Sequence, residues 1–179
     1  MKKLKITVLL LSSIVLFSCG NTADQSDKST ENQEEVASYE GMDLLDLTAY
    51  NIPLDIYIPS ESKGNADVVE TVNGSVEISI GKRFGIEIIP FGMSIAEQKE
   101  ELEGDLVYSI KYLEEDDKIM LYEKSIADSG IDPEYHFFYH IEIDGESYSV
   151  KSITGRAFTK GAVKEMMQSA TSLKTKGVS

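Results

Sequence analysis

From Leu54 onward the apolar positions recur mostly at every second residue, the period of strands with one buried face. Val68–Val72 runs into Asn73-Gly74, a pair suited to a two-residue hairpin turn. Pairing across that turn predicts Thr71 opposite Val76 and Val69 opposite Ile78. The next turn, Gly81-Lys82-Arg83, sets Ile80 opposite Phe84, Ile78 opposite Ile86 and Val76 opposite Ile88. One register then gathers Val69, Val76, Ile78, Ile80, Phe84, Ile86 and Ile88 on a single face. Agreement across two turns is better evidence than the propensity of any one strand, because a one-residue slip would turn the whole set outward.

Ser94-Ile95-Ala96-Glu97 has the spacing of a capping box and predicts a short helix to about Glu103. Strands resume at Leu106–Leu113 and Ile119–Lys124, joined by Glu114-Glu115-Asp116-Asp117. Pairing Tyr112 with Ile119 and Ile110 with Leu121 predicts one apolar face, continued by Tyr108. A last hairpin joins Tyr135–Ile143 to Glu146–Ile153 through Asp144-Gly145, with Ile141 opposite Tyr148, Tyr139 opposite Val150 and Phe137 on the same side. From Phe158 the period turns helical: Phe158, Ala162, Met166, Ser169 and Leu173 form a stripe beside Val163, Met167 and Ala170, and Thr159 is placed to cap it. Leu54, Ile56 and Ile58 alternate as a first strand, while Met42–Tyr50 fits a strand, a short helix or a turn. The expected fold is α+β: an antiparallel sheet of hairpins, a short inserted helix, and a C-terminal helix packed on one face.

Ahead of this domain, residues 1–5 are cationic and Ile6–Phe17 is an apolar run broken only by Thr7, Ser12 and Ser13. A bilayer span takes ~20 apolar residues, so the run is too short to span and fits a secretory signal peptide. It ends in Leu16-Phe17-Ser18-Cys19-Gly20, which resembles the lipobox of bacterial lipoproteins. That resemblance implies cleavage before Cys19 and lipid attachment to its thiol, with Leu16 and Ser18 in the usual positions and Phe17 bulkier than usual. Two acyl chains anchor stably where one is marginal. Gly20, in place of the aspartate that retains enteric lipoproteins at the inner membrane, implies an outer-membrane anchor where the cell has one. Residues 19–38 are polar and almost free of apolar side chains, so they are expected to be a disordered tether with a reach of ~25 Å. Residues 39–179 are then a single domain.

The order of strands, short helix, strands and C-terminal helix, opening on Asn51-Ile52-Pro53-Leu54 and Ile58-Pro59, resembles the Mog1/PsbP-like α+β fold over most of residues 50–173. It also resembles uncharacterised lipoproteins of the Bacteroidetes type. The PsbP-like group implies a binding or assembly accessory rather than an enzyme, and no functional residue carries over.

Composition narrows the partners. The chain is 41% hydrophobic and 27% charged, ordinary for a globular protein. Its charge is −14, and removing residues 1–18 takes away three lysines and no acid, leaving −17. So acidic a body repels nucleic-acid phosphates and anionic headgroups, so contact with the membrane falls to the lipid on Cys19. Cys19 is the one cysteine, which excludes an intrachain disulfide and a cysteine-built zinc site.

No reactive motif stands out. His136 and His140, the two histidines, lie four apart in a strand, ~13 Å, too far to share an ion. The Asp144-Gly145 register turns both away from the apolar face with Phe138 and Glu142, as surface histidines on an open sheet face. Glu114–Asp117 and the group Asp128, Asp132 and Glu134 lack the spacing and glycine of a calcium loop and fit solvated turns. Gly81-Lys82-Arg83-Phe84-Gly85 joins two strands and lacks P-loop spacing, so it fits a hairpin turn whose paired cations mark a possible partner contact. No G-x-S-x-G elbow occurs. Val107, Met120, Tyr122 and Phe138 on the outer sheet face fit either a second covered face or a docking surface, with docking preferred. The expectation is a non-catalytic accessory lipoprotein that binds an envelope protein or component, with no catalytic residue, cofactor or metal. A lipid or small-molecule carrier with a pocket between helix and sheet is the rival, and a hydrolase the third reading.

Overall fold

The computed structural model describes residues 39–177. The expected signal peptide over residues 1–18, Cys19 as the expected lipid-attachment residue, and the expected tether over residues 19–38 lie outside the described residues. Among the described residues, ten strands, paired antiparallel, and two α-helices make a broadly α+β structure. A three-stranded sheet is built from β1 (Met42–Asp46), β2 (Leu54–Pro59) and β10 (Lys174–Thr175), with β2 in the centre. The seven-stranded sheet runs β3 (Ala66–Glu70), β4 (Val76–Ile80), β5 (Phe84–Pro90), β9 (Glu146–Ser152), β8 (Glu134–Ile143), β7 (Ile119–Ser125) and β6 (Ser109–Glu115). Helix α1 (Ile95–Glu103) follows β5, and α2 (Lys160–Ala170) follows β9. Among the described residues no helix is long and apolar enough to cross a membrane.

Two hairpins have the expected registers, and for the expected reason. Ile80, Ile78 and Val76 face Phe84, Ile86 and Ile88, and all six are buried. Tyr139 faces Val150 and Ile141 faces Tyr148. Asp144 and Gly145 both take positive φ (54° and 83°), the conformation of the tight primed turn that Asp-Gly favours.

Two other registers differ from expectation. Glu70 faces Val76 and Val68 faces Ile78, so β3 slips by one residue and Val68, not Val69, packs on the core. The loop holds three residues instead of two: the Gly74 amide donates to the Thr71 carbonyl at 3.0 Å, and the Thr71 amide to the Ser75 carbonyl at 2.8 Å. Thr71 Oγ1 also accepts from the Asn73 and Ser75 amides, at 3.3 and 3.2 Å. These bonds hold Thr71 and Ser75 around the turn, where only Gly74 takes positive φ. In the β6–β7 hairpin, Tyr112 faces Tyr122 rather than Ile119. Asp116 Oδ1 accepts from the Lys118 and Ile119 amides at 2.8 and 2.9 Å, which closes a tighter turn and extends β6 to Glu115. An irregularity between Tyr112 and Glu114 absorbs the remaining residue. Ile110 and Tyr112 therefore share a side with Tyr122, not with Leu121.

The larger buried cluster joins Val76, Ile78, Ile86, Ile88, Leu121, Phe137 and Val150 of the seven-stranded sheet to Leu54, Ile56 and Ile58 of β2 and to Ala162, Val163, Met166 and Ala170 of α2. Thr159 caps α2, its hydroxyl accepting from the Ala162 amide at 3.3 Å. The smaller cluster holds Met120, Tyr122 and Phe138 with Ile95 and Leu102 of α1. The outer face is thus closed at these three residues instead of open for docking. Val107 stays exposed.

Candidate functional site

Helix α1 begins at the expected capping box. Ser94 Oγ accepts from the Glu97 amide at 3.3 Å, and Glu97 Oε2 accepts from the Ser94 amide at 2.7 Å. Ile95 and Leu102, seven apart, lie on one helical face, and Gln98 lies between them on the same stripe. Gln98 is 7% exposed, and its side-chain amide has no hydrogen-bond partner among the described residues.

That amide lines a cleft of about 470 Å³ between α1 and the sheet. Gln98, Glu101 and Leu102 come from the helix; Tyr122, Lys124, Glu134, His136, Lys151 and Ser152 come from β7, β8 and β9. Tyr108, Thr154 and Gly155 complete its lining. Small-molecule sites typically measure ~300–1,000 Å³, so the cleft has the volume for one.

His136 is the most constrained group in it. It is 8% exposed, contrary to the surface position expected for it. Strand alternation does turn it to the Phe138 side, but that side is covered near Phe138 and recessed at His136. His136 Nδ1 and Ser152 Oγ are 2.8 Å apart, and Nε2 lies 3.4 Å from Glu134 Oε2. The imidazole is also flanked by the rings of Tyr122 and Phe158. Burial pushes its pKa below the ordinary histidine value, with Glu134 pulling the other way. The neutral ring, able to donate at one nitrogen and accept at the other, is therefore favoured near neutral pH. Burial raises the Tyr122 phenol as well, and the Glu101 charge adds to that shift.

The cations of the cleft already have partners. Lys124 Nζ lies 3.4 Å from Asp105 Oδ2 and 3.9 Å from the centre of the Tyr108 ring. Lys151 Nζ lies 3.5 Å from Glu87 Oε2.

The other sequence candidates are spread apart. His140 is half-buried, and its Nδ1 is buried without a partner among the described residues. Glu114 pairs with Lys164 of α2 and Glu115 with Lys99 of α1, both at 2.7 Å, so these acids sit in a strand instead of the expected solvated turn. Glu134 likewise belongs to β8, while Asp128 and Asp132 are exposed. Lys82 and Arg83 occupy the expected hairpin turn, whose Gly81 carbonyl accepts from Arg156 Nη2 at 2.9 Å. Among the described residues no three His, Cys, Asp or Glu side chains are arranged to hold a metal ion. The sequence carries one signal for the cleft: a glutamine, Gln98, on the apolar stripe of α1 between Ile95 and Leu102.

Together these observations define a class only coarsely, an α+β protein with a polar cleft between a capped helix and an antiparallel sheet. No protein-family model matches the chain, and no match was found among curated protein sequences.

Proposed function

We propose that this chain is an exported bacterial lipoprotein, held to the cell envelope through a lipid on Cys19, whose domain works as a non-catalytic binding accessory. On this reading residues 1–18 are removed, residues 19–38 tether the domain, and α2 covers one face of the seven-stranded sheet in the manner of Mog1/PsbP-like folds. An outer-membrane anchor, on its periplasmic or surface side, goes with Gly20 where the cell has such a membrane.

One observation supports binding above all: Gln98, a residue only 7% exposed, lines the cleft with its side-chain amide left without a hydrogen-bond partner among the described residues. An amide that the protein leaves unpaired at the wall of a cleft can both donate to and accept from a ligand there. The cleft takes over the role that the sequence suggested for the open sheet face, since α1 covers that face at Met120, Tyr122 and Phe138. An apolar cargo, the lipid form of the lipid or small-molecule carrier alternative, would leave the Gln98 amide and the Glu101 carboxylate desolvated without hydrogen bonds.

Ser152, His136 and Glu134 favour a second reading, a hydrolase, because a serine and a neutral imidazole meet at 2.8 Å. Two features weigh against it. Ser152 is only 4% exposed, and Glu134 stands 3.4 Å from the ring, a loose contact for an orienting acid.

Thermal unfolding of the full-length protein, with and without the small-molecule fraction of its own cell envelope, tests the binding reading. The melting temperature is expected to rise in wild type and to rise less in Gln98→Ala. An unchanged melting temperature in wild type, or an equal rise in both proteins, counts against it.

A further inference from the structure

We infer that the cleft beneath α1 takes a neutral, hydroxyl-rich ligand, a short saccharide of about disaccharide size. Such a ligand presupposes that the cleft is a binding site, as proposed above.

Charge is the first discriminator. Lys124 and Lys151 are offset within the lining by Glu101 and Glu134, so a strongly charged ligand of either sign meets its own sign inside the cleft. An anion would have to draw Lys124 from Asp105 and Lys151 from Glu87, and would approach a chain of net charge −14. A cation would face both ammonium groups.

Hydrogen-bonding capacity is the second. The Gln98 amide, the Tyr122 phenol, the Thr154 hydroxyl and the Glu101 carboxylate line the cleft without a hydrogen-bond partner among the described residues. This set mixes donors with acceptors, and Gln98 supplies both from one side chain. Hydroxyl groups, each donor and acceptor at once, satisfy such a set without adding charge. A ligand with a single kind of polar group leaves part of it unmet, at the cost of a desolvated amide or carboxylate.

The test is calorimetric titration of the full-length protein in detergent with maltose, cellobiose and N,N′-diacetylchitobiose, beside citrate and cadaverine as charged probes. At least one neutral disaccharide is expected to bind, with affinity reduced tenfold or more in Gln98→Ala and Glu101→Gln and unchanged in Arg83→Ala outside the cleft. Melting temperatures close to wild type in these variants show that the loss is local. If citrate or cadaverine binds, is weakened by Gln98→Ala, and the sugars do not bind, the ligand class is wrong while the cleft remains a site. If none of the five binds, the saccharide assignment is overturned; a rise in melting temperature with envelope extract, dependent on Gln98, would still uphold the cleft as a site.

Discussion

At the scale of single residues, His136 and Gln98 show how the surroundings of a side chain of ordinary type set its burial and its hydrogen bonds. His136 lies on the side of β8 that alternation assigns to it, yet it is 8% exposed, flanked by the rings of Tyr122 and Phe158. Burial places its folded pKa below the unfolded value of about 6.5. Between those two values the unfolded chain binds the extra proton, so stability rises with pH there. The stabilising contribution of the neutral ring is complete above about 6.5 and is lost as pH falls through the folded pKa. Lowering the pH from 7.5 to 5.5 is therefore expected to depress the melting temperature of wild type more than that of His136→Asn. Equal depression in the two proteins would contradict this account of the imidazole. Sequence periodicity could assign a side of the strand to His136, but it carried no information on what lay above that side.

At the scale of elements, hairpins were legible where backbone geometry alone closes the turn. Asp144-Gly145 and Gly81-Lys82-Arg83 set registers that the apolar positions agree with, and both form as expected. Elsewhere side chains near the turn decide the register. Thr71 enlarges the loop before β4, and Asp116 tightens the turn before β7, each by accepting backbone amides that a propensity argument leaves to the ladder. The one-residue slip in β3 yields a direct test. Val68→Ala is expected to cost about 1 kcal/mol, because Val68 packs on the larger cluster, whereas Val69→Ala stays within about 0.5 kcal/mol. Denaturant titration of the two variants reads the difference, and a larger loss at Val69 would restore the two-residue turn. Helix α1 was legible in extent and cap from Ser94 and Glu97. Its partner on the sheet was not, since the β6–β7 register determines which face carries Tyr112 and Ile110.

At the scale of the whole molecule, the α+β class followed from the change of period after Phe158, and the three-stranded sheet did not. Strand β10 has two residues and Met42–Asp46 fits more than one conformation locally, so their pairing with β2 depends on contacts distant in sequence. The larger cluster draws on both sheets and α2, while the cleft depends on α1 and the edge of the seven-stranded sheet that carries β7 and β8. Core and cleft therefore use different faces, which allows the cleft to hold unpaired polar groups without opening the core. The net charge of −14 disfavours contact with nucleic-acid phosphates and anionic lipid, which accords with the proposed attachment through a lipid on Cys19.

On the proposed reading, a lipid on Cys19 places the domain where the proposed ligands are. The direct measurement is metabolic labelling with a palmitate analogue, followed by separation of membrane and soluble fractions, for wild type and Cys19→Ser. Wild type is expected to carry the label and sediment with membranes, while Cys19→Ser is unlabelled and moves toward the soluble fraction. An unlabelled wild type, or a Cys19→Ser protein that sediments as completely as wild type, would contradict the account.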